Sequence, residues 1–183
     1  MAISTALKTY LTAQKVRFTV HKHKTAYTAQ EIAASQHVSG KQLAKCVLVK
    51  TDTGVALAVL PAVQLIDFKK LKGLLSAKKV SLASEQDIKR AFPDVEVGAM
   101  SVFGNLYTVP TVMEQSLAIS QEIVCNAGSH TDTISLRYQD VARLVKPKVG
   151  TFGLAIGKPR KPATAAKAAK KKPAKKAKKA KKK

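Results

Sequence analysis

Lys45 lies within the apolar run Ala44-Lys45-Cys46-Val47-Leu48-Val49. Strand alternation gives it the same face as Val47 and Val49. An ammonium at the end of an apolar face needs water or an anion. It is either a lysine that snorkels at a sheet edge or a cation at a pocket mouth, placed to meet a phosphate or a developing oxyanion. A second group of residues is Glu96-Val97-Gly98-Ala99-Met100-Ser101-Val102-Phe103-Gly104. It holds two glycines, small residues between them, and a Met and a Phe that neither a helical nor a strand period explains. Glycine lets another group approach the main chain closely, so this loop reads as a binding segment as well as a connection. His130 follows Gly128 and Ser129 in a third loop. There it is either solvated or available to hydrogen bond a ligand.

Other combinations are weaker. His21 and His23 share a strand face, but no carboxylate or cysteine is spaced to complete a metal site, and none is expected. Cys125 with His130 has the composition of a thiol nucleophile and its base. A cysteine inside Ile123-Val124-Cys125 is, however, the pattern of a core residue. Cys46 and Cys125 show no CxxC spacing and read as reduced, buried thiols. A nucleotide-binding P-loop, GxSxG and HExxH are all missing from the sequence.

The elements that must position these residues follow from periodicity. Ser4 is placed to cap a first helix with Leu7, Tyr10 and Leu11 on one face, ending near Lys15. Val16, Phe18 and Val20 alternate as a half-buried strand. Thr28 to Glu31 is a capping box that opens a second helix running to about His37, with Ile32 and Ala33 inward. Residues 44–50 and 55–60 are apolar on both faces and joined by Thr51-Asp52-Thr53-Gly54, which predicts a central hairpin closed by Pro61. A helix is predicted over 65–75, a short strand at Val80 and Leu82, and a helix capped by Ser84 carrying Ile88 and Phe92. Beyond the glycine loop, 105–109 and 116–120 read as short strands or turns. Residues 122–126 and 133–138 are clearer strands, and 139–145 a final helix. This order predicts an α+β fold: a mixed, mainly antiparallel, curved or barrel-like sheet with surrounding helices.

Charge divides the chain. Of 33 lysines and arginines, 14 fall in residues 158–183, where there are no acids. The remaining 19 basic residues face 11 acidic ones, a body charge of +8. Residues 158–183 are almost wholly Lys, Ala and Pro, with nothing apolar larger than alanine to bury, so a disordered tail is expected. Both parts point to a polyanionic partner. No apolar signal core and no membrane-length run is present, so a cytoplasmic protein is expected.

Three segments, taken together, resemble the YbaK/ProX family of aminoacyl-tRNA deacylases, freestanding relatives of the prolyl-tRNA synthetase editing domain. Residues 43–49 match the strand that bears the family's functional lysine. Residues 97–104 resemble its GxxxP-type substrate loop. Residues 126–130, followed by Ile134-Ser135-Leu136 and Asp140, look like its closing hairpin and helix. The similarity spans roughly Val20 to Leu144. It implies a compact α+β domain over 20–150, with an N-terminal helix and the start of the first strand in 1–19 and the basic tail in 158–183. It also implies hydrolysis, in trans and without metal or cofactor, of the ester joining a wrong amino acid to tRNA. By position, Lys45 would be the catalytic lysine. Gly98, Ala99, Met100 and Ser101 would hold the aminoacyl group through main-chain contacts, and Gly128 and His130 would line the pocket. One departure stands out: Val102 occupies the place of the loop proline, which makes it the candidate for tuning which amino acid is accepted.

The expected substrate is therefore a mischarged tRNA carrying a small residue of the Ala, Ser or Thr class. The tail would add non-specific affinity for RNA or DNA. The alternative is a non-catalytic nucleic-acid-binding protein that acts through the tail. Attachment to a membrane surface is not expected, because no amphipathic or lipidation signal accompanies the charge. The sequence leaves the oligomeric state open.

Overall fold

The computed structural model describes residues 3–35 and 38–155. The tail expected to be disordered lies outside the described residues, as does the predicted end of the second helix at His37. In chain order the elements are α1 (Thr5–Ala13), β1 (Phe18–Lys22), α2 (Ala29–Ser35), β2 (Leu43–Thr51), β3 (Gly54–Pro61), β4 (Gln64–Ile66), α3 (Phe68–Leu75), β5 (Val80–Leu82) and α4 (Glu85–Ala91). A 3-10 turn (Gly104–Tyr107), β6 (Thr111–Glu114), α5 (Gln115–Ala118), β7 (Glu122–Asn126), β8 (Asp132–Arg137), α6 (Tyr138–Val145), β9 (Lys148–Gly150) and β10 (Gly153–Ala155) follow.

Eight strands form one mixed sheet in the order β1-β8-β7-β2-β3-β6-β9, with β5 paired to β2, while β10 and β4 make a separate two-stranded ribbon. The architecture is α+β, as predicted. Antiparallel pairing joins β2 to β3, β2 to β5, β7 to β8 and β1 to β8. Parallel pairing joins β2 to β7, β3 to β6 and β6 to β9. The hairpin of β2 and β3 is central, and its apolar character on both faces has a direct cause. Ala44, Leu48, Leu57 and Val59 pack with Leu7, Leu11, Phe92, Met100, Val102 and Phe103 on one side. Val49, Ala56, Ala58 and Leu60 pack with Leu71 and Phe152 on the other.

Several elements differ from the sequence-based reading, each for a physical reason. Ser4 precedes α1 without a side-chain cap; its hydroxyl donates instead to Asp94 Oδ2 at 2.8 Å. Val20 is 40% exposed rather than inward, because β1 is the edge strand. The helix predicted over 65–75 begins only at Phe68. Its first two residues, Leu65 and Ile66, are claimed together with Gln64 by pairing with β10, and the Asp67 carboxylate accepts from the Lys69 and Lys70 amides to start α3. Residues 105–109 are mostly the 3-10 turn, and residues 115–118 are a short helix. Pro61 does end β3, as its last residue. The strand β6 escapes a periodicity search because all four of its residues are buried. By contrast, the Thr28–Glu31 box forms as read, with Glu31 Oε2 accepting the Thr28 amide and Thr28 Oγ1 the Glu31 amide, and Ser84 with Asp87 forms a second box.

Candidate active site

The central hairpin fixes Lys45 near the start of β2, opposite Leu60 of β3. Its half-buried ammonium donates to the main-chain oxygens of Ala62 and Gln64, where the chain turns from β3 into β4. An ammonium has three hydrogens, so one remains for a ligand. Burial lowers the Lys45 pKa from the usual lysine value. Beyond it along the strand lies a cavity of about 330 Å³, lined by Lys45, Val47, Leu65, Ile66, Phe68 and Leu82.

On the other flank of Lys45 stands β7. The two strands run parallel, with Leu43 opposite Val124 and Ala44 opposite Cys125. The pairing ends there; Lys45 and Asn126 are the residues that follow, and alternation gives both the face of Leu43 and Val124, which pack together. Asn126 Nδ2 donates to the Gly98 carbonyl at 3.3 Å, and its Oδ1 is buried without a partner among the described residues. The glycine loop thus reaches the lysine's side of the sheet through one asparagine.

The loop is held to the β7–β8 hairpin by several further bonds. The Glu96 amide donates to the Gly128 carbonyl, the Gly128 amide to the Ala99 carbonyl, and the His130 amide to Glu96 Oε2. His130 Nε2 lies 2.9 Å from the Val97 carbonyl. A carbonyl only accepts, so Nε2 carries the hydrogen and the neutral ring presents Nδ1 as an acceptor. That Nδ1 is buried and has no partner among the described residues. Tyr27, from the segment before α2, sets its ring 4.9 Å from the imidazole.

Gly98 is exposed, whereas Ala99, Met100, Ser101, Val102 and Phe103 are buried. Gly98 has φ +91°, a conformation that strains residues with a side chain. The loop therefore offers the site its backbone at Gly98 and anchors itself by the side chains that follow. Val102 is fully buried in the main core, in the same cluster as Cys125. Gly128, at φ +103°, is covered by Ser4; a Cβ there would come within 2.9 Å of the Ser4 Cβ. It ties the loops together and admits the N-terminal segment close to them.

Cys125 is buried in the main core, and burial pushes its thiol up to about 12, so it stays protonated at neutral pH. Cys46 packs against the same core, and both cysteines are free thiols. His21 bonds Ser135 Oγ, while His23 bonds the Lys24 carbonyl, so the two rings have separate partners. Among the described residues no cluster of three His, Cys, Asp or Glu could hold a metal ion, and no helix is long and apolar enough to cross a membrane. Sequence reasoning assigned no role to Asn126 or Tyr27. Asn126 was visible as a polar end to an apolar strand, but its place on the same face as Lys45 depends on parallel pairing between segments some 80 residues apart.

The model of the aminoacyl-tRNA editing domain matches residues 23–144. Among curated proteins, the prolyl-tRNA editing protein ProX of Acetoanaerobium sticklandii is 26% identical over 144 residues, covering 75% of this chain and 87% of its own. Among solved structures, one described as a candidate trans-editing enzyme for prolyl tRNA synthetase superposes with a TM-score of 0.72 at 15% identity, covering 84% of this chain and 100% of its own. A protein described only as hypothetical gives 0.74 at 16% identity, over 81% and 99%. These two likenesses establish a shared fold.

Proposed function

The chain belongs to the family of aminoacyl-tRNA editing domains, and we propose that it clears small, wrongly attached amino acids from tRNA in trans, with Lys45 at the reacting ester. As a member of that family it is an aminoacyl-tRNA deacylase, a hydrolase of the bond between amino acid and tRNA. The observation that carries the finer reading is that the parallel pairing of β2 and β7 gives Lys45 and Asn126 one sheet face, where Asn126 bonds the Gly98 carbonyl of the loop that His130 also holds at Val97.

An aminoacyl ester is already activated, so a positioned water suffices as nucleophile. Water oxygen bonds to the ester carbonyl carbon, and the carbonyl oxygen takes up negative charge. The free hydrogen of the Lys45 ammonium stabilises that charge or holds the tRNA terminus. The carbon–oxygen bond to the ribose then breaks, the ribose oxygen takes a proton, and the amino acid leaves as its carboxylate. His130 Nδ1, with its lone pair open, accepts a hydrogen from the substrate ammonium or the attacking water. Gly98 supplies main chain to the aminoacyl group. Ala99, Met100 and Ser101 support that main chain from beneath, and Gly128 and Ser4 brace it from the side.

Selectivity by pocket size suits small residues, because one methylene is worth only about 1–3 kcal/mol in an apolar pocket. Val102 acts on this pocket through the set of the loop. The prolyl-tRNA editing relative makes tRNA for proline, charged with alanine, serine or threonine, the first substrate class to try. The basic tail adds an electrostatic handle on the same tRNA, and the enzyme works in the cytoplasm.

The test is amino acid release from a panel of mischarged tRNAs. Lys45→Ala is expected to lower turnover by about 10²–10³-fold, the usual loss when one oxyanion donor is removed. Val102→Pro is expected to reorder the panel. Undiminished turnover in Lys45→Ala would remove the lysine from its role. The tail favours a second reading, nucleic-acid binding without hydrolysis. It would prevail if no ester were cleaved while truncation after Gly157 abolished all binding.

A further inference from the structure

Lys45 divides two unlike regions. One is the polar row of Asn126, Gly98 and His130; the other is the apolar recess of Val47, Leu65, Ile66, Phe68 and Leu82. The row has donors and acceptors for an aminoacyl ester and uses them. The recess has no such role in the reaction, yet it is open: Leu65 is 54%, Leu82 63% and Phe68 37% exposed. Large apolar side chains on one concave surface beside a site mark a place where something apolar and flat is received.

We propose that this recess seats the 3′-terminal nucleoside of the tRNA, its base against Phe68, while the attached amino acid points along the polar row. The inference rests on the reading of Lys45 as the ester site. Three observations support a nucleoside over other occupants. The cavity, at about 330 Å³, falls within the usual range for small-molecule sites of roughly 300–1,000 Å³, and it is too roomy to discriminate among small amino acid side chains. Its walls provide an aromatic ring and branched aliphatics, the surfaces on which unpaired bases stack irrespective of sequence. Its surroundings are cationic. Lys69, Lys70 and Lys72 of α3 and Lys78 and Lys79 before β5 are all exposed. These five lysines outnumber the carboxylates among them, Asp67, which pairs with Lys70 at 4.0 Å and caps α3, and Asp52, which accepts from the Lys78 and Lys79 amides. A phosphodiester chain leading away from the recess would meet this positive rim. A base on Phe68 and an ammonium at the ester would fix the terminal ribose from both sides.

The chain contains no tryptophan, so Phe68→Trp in the full-length protein places a single indole at the recess. Adenosine 5′-monophosphate is expected to quench its fluorescence saturably, whereas ribose 5-phosphate is not. In steady-state deacylation, Phe68→Ala should raise KM about 5- to 150-fold by the same factor for every amino acid tested, with kcat held within a few-fold. An absent quench, an unchanged KM, or a penalty that varies with the amino acid would overturn the proposal, the last by assigning the recess to the aminoacyl side chain. Lost turnover in Lys45→Ala beside a normal KM in Phe68→Ala overturns the nucleoside seat and leaves the lysine's role standing. The reverse pattern upholds the seat and removes the lysine.

Discussion

Lys45 is held by two carbonyls on one side and faces an apolar recess on the other, and its proton is correspondingly loose. Burial lowers its pKa below the ordinary 10.5. If the ammonium is the working form, enzymatic deacylation should fall on the alkaline side with an apparent pKa below 10.5. Lys45→Arg, charged throughout, should abolish that limb, as read from kcat against pH after subtracting spontaneous ester hydrolysis. The sign for folding is opposite in sense. The unfolded chain binds this proton more tightly than the folded one, so burying Lys45 costs stability at neutral pH, and the cost is relieved as pH rises toward 10.5. At this scale the sequence was informative about three residues. Lys45, Gly98 and His130 each broke a local pattern: a charge on an apolar face, a glycine in an aperiodic stretch, and a histidine in a tight loop. Asn126 showed only as the polar end of an apolar strand and Tyr27 broke no pattern, and only contacts between distant segments bring them to the site.

Elements were legible where their cause is local. The Thr28 and Ser84 caps depend on residues three apart, and the β2–β3 hairpin on a four-residue turn. Elements whose cause is distant were misread or overlooked. The ribbon of β4 and β10 joins Gln64 to Ala155, and it removes Leu65 and Ile66 from what periodicity alone makes a helix. The parallel strand β6 is buried throughout because β3 and β9 flank it. The start of α3 then falls to Asp67, whose carboxylate caps the amides of Lys69 and Lys70 and so aims Phe68 at the recess. Asp67→Ala should cost about 0.5–2 kcal/mol, measured as a shift in urea midpoint with unchanged slope, and Asp67→Asn should restore most of it.

The whole molecule carries a net charge of +22, concentrated beyond residue 157. If the tail grips tRNA, log affinity should fall steeply with log salt, and truncation after Gly157 should flatten that slope by about 0.7 for each phosphate the tail had neutralised on single-stranded segments, or about 0.9 on duplex. Filter binding of deacylated tRNA across a salt series measures this directly. Where the tail is rooted matters as much as its charge. The last described strand, β10, ends at Ala155 opposite Gln64, whose carbonyl holds the Lys45 ammonium. Residues 156–183 can extend no farther than about 90–100 Å from that anchor. A tRNA bound by these residues would therefore be confined to a small search volume around the lysine, and its acceptor end would sample the site at a raised local concentration. If the tail does hold tRNA, the ribbon of β4 and β10 would tie that unselective charge beside the lysine. The gain in local concentration would depend on how close to Lys45 the tail is tied, and a neutral spacer after Ala155 would weaken it without removing a single charge.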